Sequence, residues 1–390
     1  MVSVFQALSI IDQNTDALAS ILLPLSEVNG CVLAEDVKAP INLPPFRQSA
    51  MDGYAFQHGA QGELKLIGES KAGDFKEFEV SISDCLRIFT GARVPDQVDT
   101  VVMQEHVEKT ADGIRIIKMP EKGTNVRPIG EQIKQNEIVL KKGTKINAAI
   151  VGFLAGLGIS KVLVIRKPKV ALIVTGNELQ EPGTQLKPGS VYESNRVMLE
   201  TAIALEKVEL IHSDHVLDDK ESTYKAIQKA LEADLVLISG GISVGDYDFV
   251  KEALEKNGLE EKFYKVNQKP GKPLWYGKKG EKQVFALPGN PASSLTCFLI
   301  YVTAAIRKMN GTAAIDINLK KGRMKGRYTN VFNKALFLQV REHAGELEVY
   351  PKQASSMLVS FTQSNAFLFV PDDVKEIYDG DEVMYIPFKL

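Results

Sequence analysis

Cysteine is scarce in this sequence. Cys31, Cys85 and Cys297 are the only three, widely separated and without a CxxC pair. An odd, scattered count does not build a disulfide framework and suits a reducing cytosol, so a cytoplasmic location is expected. No run approaches the roughly 20 consecutive apolar residues of a membrane span. The opening stretch MVSVFQALSIIDQNTD has no early Lys or Arg and reaches Asp12 quickly, unlike a secretory signal. Nor is one charge in excess: 47 basic residues face 49 acidic ones, which argues against sequence-blind nucleic-acid binding. No Ser-His-Asp pattern, nucleophile elbow or Walker loop is present. What is there is a chain of 390 residues, 44% hydrophobic and 25% charged. That composition is globular, with room for about two to four domains.

The apolar spacing changes along the chain. Val4, Ala7, Leu8 and Ile11 recur at helical spacing and predict a short amphipathic helix within 3–22. From about 27 to 145, short β-type runs alternate with Gly and Pro and read as small, mainly antiparallel β structure. Asn147 is placed to cap a helix through Leu157, with Gly158 ending it. Between about 168 and 311, strands and helices alternate. The runs 170–174 and 235–238 are apolar without a break, as in parallel strands buried on both faces. Helices are expected near 195–206, 220–232 and 248–257, strands near 208–212 and 263–266, and a hairpin about Lys278-Lys279-Gly280. A last helix has Asn290 as its cap and Pro291 in its first turn. This is a doubly wound α/β domain. Beyond it, β runs at 337–340, 347–350, 366–370 and 382–386 predict a small C-terminal β-barrel. The fold class is therefore α/β plus β, multidomain, with a β-rich N-terminal region.

In an open parallel sheet, ligands bind beyond the carboxyl ends of the strands. Three such ends carry unusual residues: Thr175-Gly176-Asn177-Glu178, the stretch from Gly240-Gly241 through Ser243 and Gly245 to Asp248, and Pro288-Gly289-Asn290-Pro291. The glycines let a ligand approach backbone amides, which favour an anion. One Gly-Gly is equally well a tight turn, but two such loops in one sheet favour a site. Lys265, Lys269 and Lys272 would read as a solvated surface run by charge alone, but two prolines and Gly271 restrain the backbone there, which favours a pocket for phosphate or another oxyanion. Asp52, Glu178, Asp218 and Asp248 sit in loops or at element ends and are candidates to hold Mg²⁺ beside a phosphate. Any one of them is more often a cap or turn residue, and Asp218-Asp219, just ahead of a helix, is the clearest such case. His212 and His215 have no Cys or third His nearby and read as strand-end residues rather than zinc ligands. Trp275 reads as core or interface.

Together these segments resemble the molybdopterin molybdenumtransferases, the molybdenum insertases of cofactor biosynthesis. The resemblance rests on Pro44-Pro45-Phe46-Arg47-Gln48-Ser49-Ala50-Met51-Asp52-Gly53-Tyr54-Ala55, Ile88-Phe89-Thr90-Gly91-Ala92, Val101-Val102-Met103-Gln104-Glu105 and Thr175-Gly176-Asn177-Glu178-Leu179. The Ser-Gly-Gly-Ile-Ser-Val-Gly-Asp, Lys-Pro-Gly-Lys-Pro and Leu-Pro-Gly-Asn-Pro loops complete it, in the family's order. It implies an N-terminal linker domain (1–26 and 134–167), an inserted β-rich domain (27–133), an α/β molybdopterin-binding domain (168–311) and a β-barrel domain (312–390). It also implies a homodimer whose active site lies between the α/β domain of one subunit and the N-terminal region of the other. Catalytic roles would fall to Asp52, Thr90, Glu178, Asp218, Asp248, Lys265 and Lys269. Substrate binding would fall to Gly240, Gly241, Ser243, Gly245, Lys272, Pro288, Gly289, Asn290, Pro291 and Ser355, and Mg²⁺ to Asp218 and Asp248. The implied reaction takes adenylated molybdopterin and molybdate to molybdenum cofactor and AMP, without nucleic acid or membrane. Transient contact with the molybdopterin adenylyltransferase is part of the same expectation. Two positions depart from the family pattern. Gln132 stands where an acid is usual, and Arg341 is the nearest match to a barrel arginine.

Two other functions stay open at this level. A molybdopterin adenylyltransferase has a related α/β domain, but its loop typically reads Gly-Gly-Thr-Gly where this chain has Gly240-Gly241-Ile242-Ser243. A non-catalytic, gephyrin-like scaffold would use the same module without turnover. The intact Asp52, Glu178, Asp248, Lys269 and Lys272 count against it.

Overall fold

Ser3 opens the first helix. Its hydroxyl accepts the Gln6 amide while the Gln6 side chain accepts the Ser3 amide, a capping box. The helix that follows, α1 (Val4–Asn14), buries Val4, Ala7, Leu8 and Ile11, the four residues of the predicted stripe. The computed structural model describes residues 1–242, 249–312, 315 and 317–388. The chain divides into two compact units. One comprises Met1–Leu22, Gly30–Ala34 and Leu163–Leu390, and the other Leu23–Asn29 and Glu35–Val162.

The second unit is built on a six-stranded sheet of β1 (Gly53–Phe56), β2 (Glu63–Ser70), β3 (Asp84–Ile88), β4 (Thr100–Met103), β5 (Val107–Lys109) and β6 (Gly113–Ile116). Its order is β4-β1-β3-β2-β6-β5, and only the β2–β3 pair is parallel. Leu86, Ile88 and Val101 pack on one face, Phe56, Leu64 and Val102 on the other. In the same unit, Asn147 accepts the Ile150 amide at 3.0 Å and starts α2 (Ala148–Gly156), as its position predicted.

The first unit holds the α/β sheet. Its strands are β7 (Lys169–Thr175), β8 (Glu209–Val216), β9 (Leu235–Ser239), β10 (Glu260–Tyr264), β11 (Trp275–Lys279) and β12 (Lys282–Leu287), in the order β8-β7-β9-β12-β11-β10. The first four in that order are parallel, and β11 runs antiparallel both to β12, with which it forms the hairpin, and to β10. Helices cover both faces. α3 (Asn195–Ala204) joins α1 on the face of Leu172 and Leu237, while α4 (Lys220–Ala230) and α5 (Val250–Lys256) cover Ile173, Val236 and Ile238. After β12 comes a continuous helical stretch, α6 (Pro291–Cys297), a π-helical turn (Phe298–Val302) and α7 (Thr303–Met309), which also packs on the α1 face. Trp275 is core, 1% exposed, with its indole N–H on Glu261 at 2.9 Å.

A closed barrel follows: β13 (Lys320–Lys325), β14 (Ala335–His343), β15 (Glu346–Val349), β16 (Ala366–Val370) and β17 (Glu382–Pro387), in the ring β14-β15-β13-β17-β16. Four of these were predicted. β13 was not, because Lys320-Lys321-Gly322-Arg323-Met324-Lys325 buries Met324 alone. Its ladders to β15 and β17 hold it, and a ladder leaves no apolar alternation to read. No helix among the described residues is long and apolar enough to cross a membrane.

At the amino ends of β7 and β9, Arg166 grips Asp234 with two bonds of 2.6 and 2.8 Å, and the Lys169 amide adds a third at 2.9 Å. Burial alone would raise the Asp234 carboxyl, but Arg166 and the amide outweigh it and hold the group below its ordinary value. A depressed carboxyl contributes stability above its unfolded pKa of about 3.9 and loses it as the pH falls through the folded value. Urea unfolding of wild type and Asp234→Asn from pH 7 to pH 2.5 should show the variant weaker at neutrality and the gap closing in acid. A gap constant with pH would remove the ion pair as its cause.

Candidate functional site

The chain leaves β7 for β8 on one side and returns to β9 on the other, so the carboxyl ends of β7 and β9 diverge at a topological switch point. A cavity of about 660 Å³ opens there. Thr175, Gly176 and Glu178 after β7, Asp218 after β8, Gly240 and Gly241 after β9, and Pro288, Gly289, Asn290 and Pro291 after β12 line it. These are the strand-end residues singled out in the sequence.

Hydrogen bonds fix these loops against one another. The Asp218 carboxylate accepts the Thr175 hydroxyl and, at 3.1 Å, the Asn177 amide. Asp219, not Asp218, caps α4, taking the Ser222 amide at 2.8 Å. Of the adjacent acids, Asp219 takes the capping role, and Asp218 braces the loop after β7. Gly240 has φ +104°, and a Cβ there would lie 2.5 Å from the Thr175 carbonyl oxygen. Glycine is what lets the β7 and β9 ends approach this closely. Asn195 was not anticipated. Its side-chain amide donates to Ser239 Oγ at 3.0 Å and to the Gly289 carbonyl at 2.6 Å, tying α3 to the ends of β9 and β12. A lone Asn at a helix start carries no motif, so only the fold reveals it.

A second cavity, of about 400 Å³, is lined by Lys269, Pro270, Arg327, Phe332, Gln353 and Ser355, among others. The two adjoin, since Ser356 lines the first and Ser355 the second. Asn290 flanks α6 as predicted, but its side chain makes no cap bond. It donates instead to Ser355 Oγ at 3.1 Å, and the Ser293 amide meets the Ser355 carbonyl at 3.2 Å. The Lys269 ammonium stands 3.2 Å from the Phe332 ring centroid. Burial, and then the charge of Lys334, hold it below the ordinary lysine pKa. Lys265 has its ammonium 4.6 Å over the Tyr264 ring, and Lys272 is exposed; neither is in the lining of these two cavities. Among the described residues, none of the three lysines forms an ion pair with a carboxylate.

Arg341, the nearest sequence candidate for a barrel arginine, stands elsewhere. It pairs across the ladder with Glu348 and shares a different cavity with Lys325 and His343. The arginine beside Lys269 is Arg327, in the turn after β13, bonded to Glu376 at 2.8 Å. In the other unit, Asp52 accepts the Thr90 amide at 2.8 Å and the Thr90 hydroxyl at 2.7 Å, and the amide bond leads in holding its carboxyl below the usual range. Ser243, Gly245 and Asp248 lie outside the described residues.

No group of three His, Cys, Asp or Glu is placed to cage a metal among the described residues. His212 pairs with Glu232 and His215 with the Gly176 carbonyl. Two cavity carboxylates, Glu178 and Asp218, do suit Mg²⁺, which takes one or two carboxylates and completes its shell with phosphate oxygens and water. Among the described residues, each Asp218 oxygen accepts one bond, and a carboxylate oxygen has two lone pairs.

Three family models match the chain: MoeA N-terminal region (domain I and II) over residues 2–158, probable molybdopterin binding domain over 171–308, and MoeA C-terminal region (domain IV) over 321–388. The chain is 34% identical over 383 residues to the molybdopterin molybdenumtransferase of Haemophilus influenzae, covering 94% of this chain and 93% of that one. It is 32% identical over 398 residues to the protein of the same name from Staphylococcus epidermidis, covering 98% and 94%. The crystal structure of the molybdopterin biosynthesis MoeA protein from Pyrococcus horikoshii superposes with TM-score 0.87 at 32% identity, over 100% of this chain and 99% of that one.

The close approach at Gly240 has a direct test. Gly240→Ala should cost about 1–3 kcal/mol, from the left-handed backbone and the Thr175 clash. Gly289→Ala, whose nearest neighbour would be 3.6 Å away, should stay within about 0.5 kcal/mol of wild type. Urea midpoints decide it, and equal shifts would refute the constraint.

Proposed function

Since this chain belongs to the molybdopterin molybdenumtransferase family, we propose that its cavities carry out molybdenum insertion, the transferase step that completes the molybdenum cofactor, on adenylated molybdopterin with release of AMP. The observation that supports this most is the pairing of a glycine-walled crevice with an adjoining cavity that holds Lys269, on a loop whose lysines have no carboxylate partner among the described residues. Molybdate and a dinucleotide-like phosphoanhydride are both anions and repel one another. A site for both must supply fixed positive charge and donors, and the 265–273 stretch carries three lysines of which none is paired with a carboxylate among the described residues.

In this reading the pterin and phosphates occupy the larger cavity, against the Gly240-Gly241 backbone, Asn195 and the loop 288–291. Molybdate sits in the smaller one, between Lys269 and Ser355. An oxygen nucleophile, from water or from molybdate, attacks phosphorus of the anhydride. The bond to AMP breaks, and AMP leaves with the electron pair of that bond. The lysines hold both anions in attacking geometry and stabilise the charge that develops, which is where most of the acceleration arises. Asp218, with Asp248, would hold Mg²⁺, which supplies charge neutralisation at the phosphate oxygens.

The site is completed, in the same proposal, by Asp52 and Thr90 of a second copy in a homodimer. Family membership and the exposed, firmly bonded Asp52–Thr90 pair support it. Sedimentation should give a dimer, and mixing inactive Asp52→Asn with inactive Glu178→Gln protein should restore part of the activity. A fully active monomer would refute the composite site.

Incubation with adenylated molybdopterin, Mg²⁺ and molybdate should release AMP and form active cofactor. ATP consumption with pyrophosphate release would indicate adenylylation instead, and the absence of both a scaffold. Lys269→Ala and Lys272→Ala should each remove a charge-assisted contact of about 1.5–3 kcal/mol, or roughly ten- to a hundredfold in apparent molybdate affinity, with the gap to wild type narrowing at high salt as the contact is screened. Lys272→Arg should rescue in part only, since the guanidinium is longer and planar. Wild-type molybdate curves for all three would refute the anion assignment.

A further inference from the structure

The lysine loop rests on a buried polar relay. Gln268, Cys297 and Tyr301 are all 0% exposed. The Gln268 side-chain amide donates to the carbonyls of Pro270 at 3.0 Å and Gly271 at 3.3 Å, the two residues between the lysines. Its oxygen accepts the Tyr301 hydroxyl. Cys297 Sγ lies 3.6 Å from the Gly271 carbonyl. Gly271, at φ +86°, sits so close that a Cβ would lie 2.5 Å from that sulfur. From the other side, Val2 bonds to the backbone of Lys265 and Asn267, and Lys272 accepts the amides of Val266 and Leu274.

Tyr301 reaches Gln268 from the π-helical turn Phe298–Val302. The wider turn changes the angular register between α6 and α7, and such turns recur at functional sites. Burial holds the Tyr301 phenol neutral, well above its ordinary titration range, so it stays a donor at physiological pH. A buried polar chain that satisfies its members is rigid, because any displacement leaves a donor or acceptor unpaired in a low dielectric. The loop needs that rigidity. Two ammonium groups three residues apart, with no carboxylate paired to either among the described residues, repel each other and would swing apart on a soft backbone.

We infer that Gln268 and Tyr301 are positioning residues for oxyanion recognition, setting through the Pro270 and Gly271 carbonyls the geometry in which Lys269 and Lys272 receive molybdate. This rests on the anion-binding role proposed for those lysines. The test compares Tyr301→Phe, Gln268→Met and Lys272→Ala in the full-length protein, by calorimetric titration with molybdate, by KM and kcat for AMP release, and by thermal unfolding. Tyr301→Phe and Gln268→Met should weaken molybdate binding and raise its KM by about three- to tenfold, the worth of a lost hydrogen bond, with kcat within about twofold of wild type. Tyr301→Phe keeps the ring and its packing, so it stays informative if Gln268→Met folds poorly. Wild-type molybdate affinity and KM in both relay variants, even with lowered unfolding temperatures, would make the relay merely structural and overturn the inference. If Lys272→Ala also binds molybdate as wild type does, the anion-site reading itself fails. If Lys272→Ala alone weakens binding, only the relay falls.

Discussion

The position of β7 between two parallel neighbours is the constraint from which the site follows. β8 lies on one edge of it and β9 on the other. Crossovers between parallel strands are right-handed, so α3 and α4 cover opposite faces of the sheet; α5, after β9, shares the α4 face, and the chain therefore parts at the carboxyl ends of β7 and β9. The parting leaves a crevice whose walls are backbone and short polar side chains. Asp218 braces it from the β8 loop, Asn195 from α3, and Gly240 lets the two strand ends close to contact distance. Every loop that lines the larger cavity is held by at least one bond to another loop or strand end.

Charge is distributed on the same plan. Ion pairs elsewhere in this unit are frequent; Arg166 with Asp234, Arg196 with Glu181 and Lys308 with Asp12 are examples. In the 265–273 stretch the lysines meet aromatic rings and backbone instead, Lys265 on Tyr264 and Lys269 on Phe332. A ring face holds an ammonium without neutralising it. For the anion site proposed there, this leaves the cation available, and a rigid loop beneath would keep the cost of binding low, since little has to be ordered at that moment.

Much of this was legible before any coordinates. The unbroken apolar runs of β7 and β9 announced buried parallel strands, and the helix cap at Asn147 and the turn of the β11–β12 hairpin fell where local chemistry put them. The cavity residues Thr175, Glu178, Gly240 and 288–291 were found because they interrupt the pattern at strand ends, where an open sheet binds. Other features left no local trace. β13 is held by ladder bonds and so lacks an apolar rhythm. Arg327 reaches the Lys269 cavity through the closure of the barrel, whereas Arg341, on a recognisable strand, points its chemistry to Glu348 and Lys325.

By itself the sequence determined the fold class, the family and the residue types at the site, because each depends on neighbours in the chain: period, turn residue, motif. The tertiary structure alone decided how those residues divide their work. Asp218 and Asp219 are adjacent acids with the same helix ahead of them, and only the nearness of Thr175 and Asn177 makes one a brace and the other a cap. Asn290 occupies a helix-cap position, but Ser355, 65 residues on, takes its side chain. Gln268 and Tyr301, 33 residues apart, meet only because a π turn and the folded loop bring them together. Hydrogen bonds act over about 3 Å, and nothing in the order of residues states which distant groups will come that near.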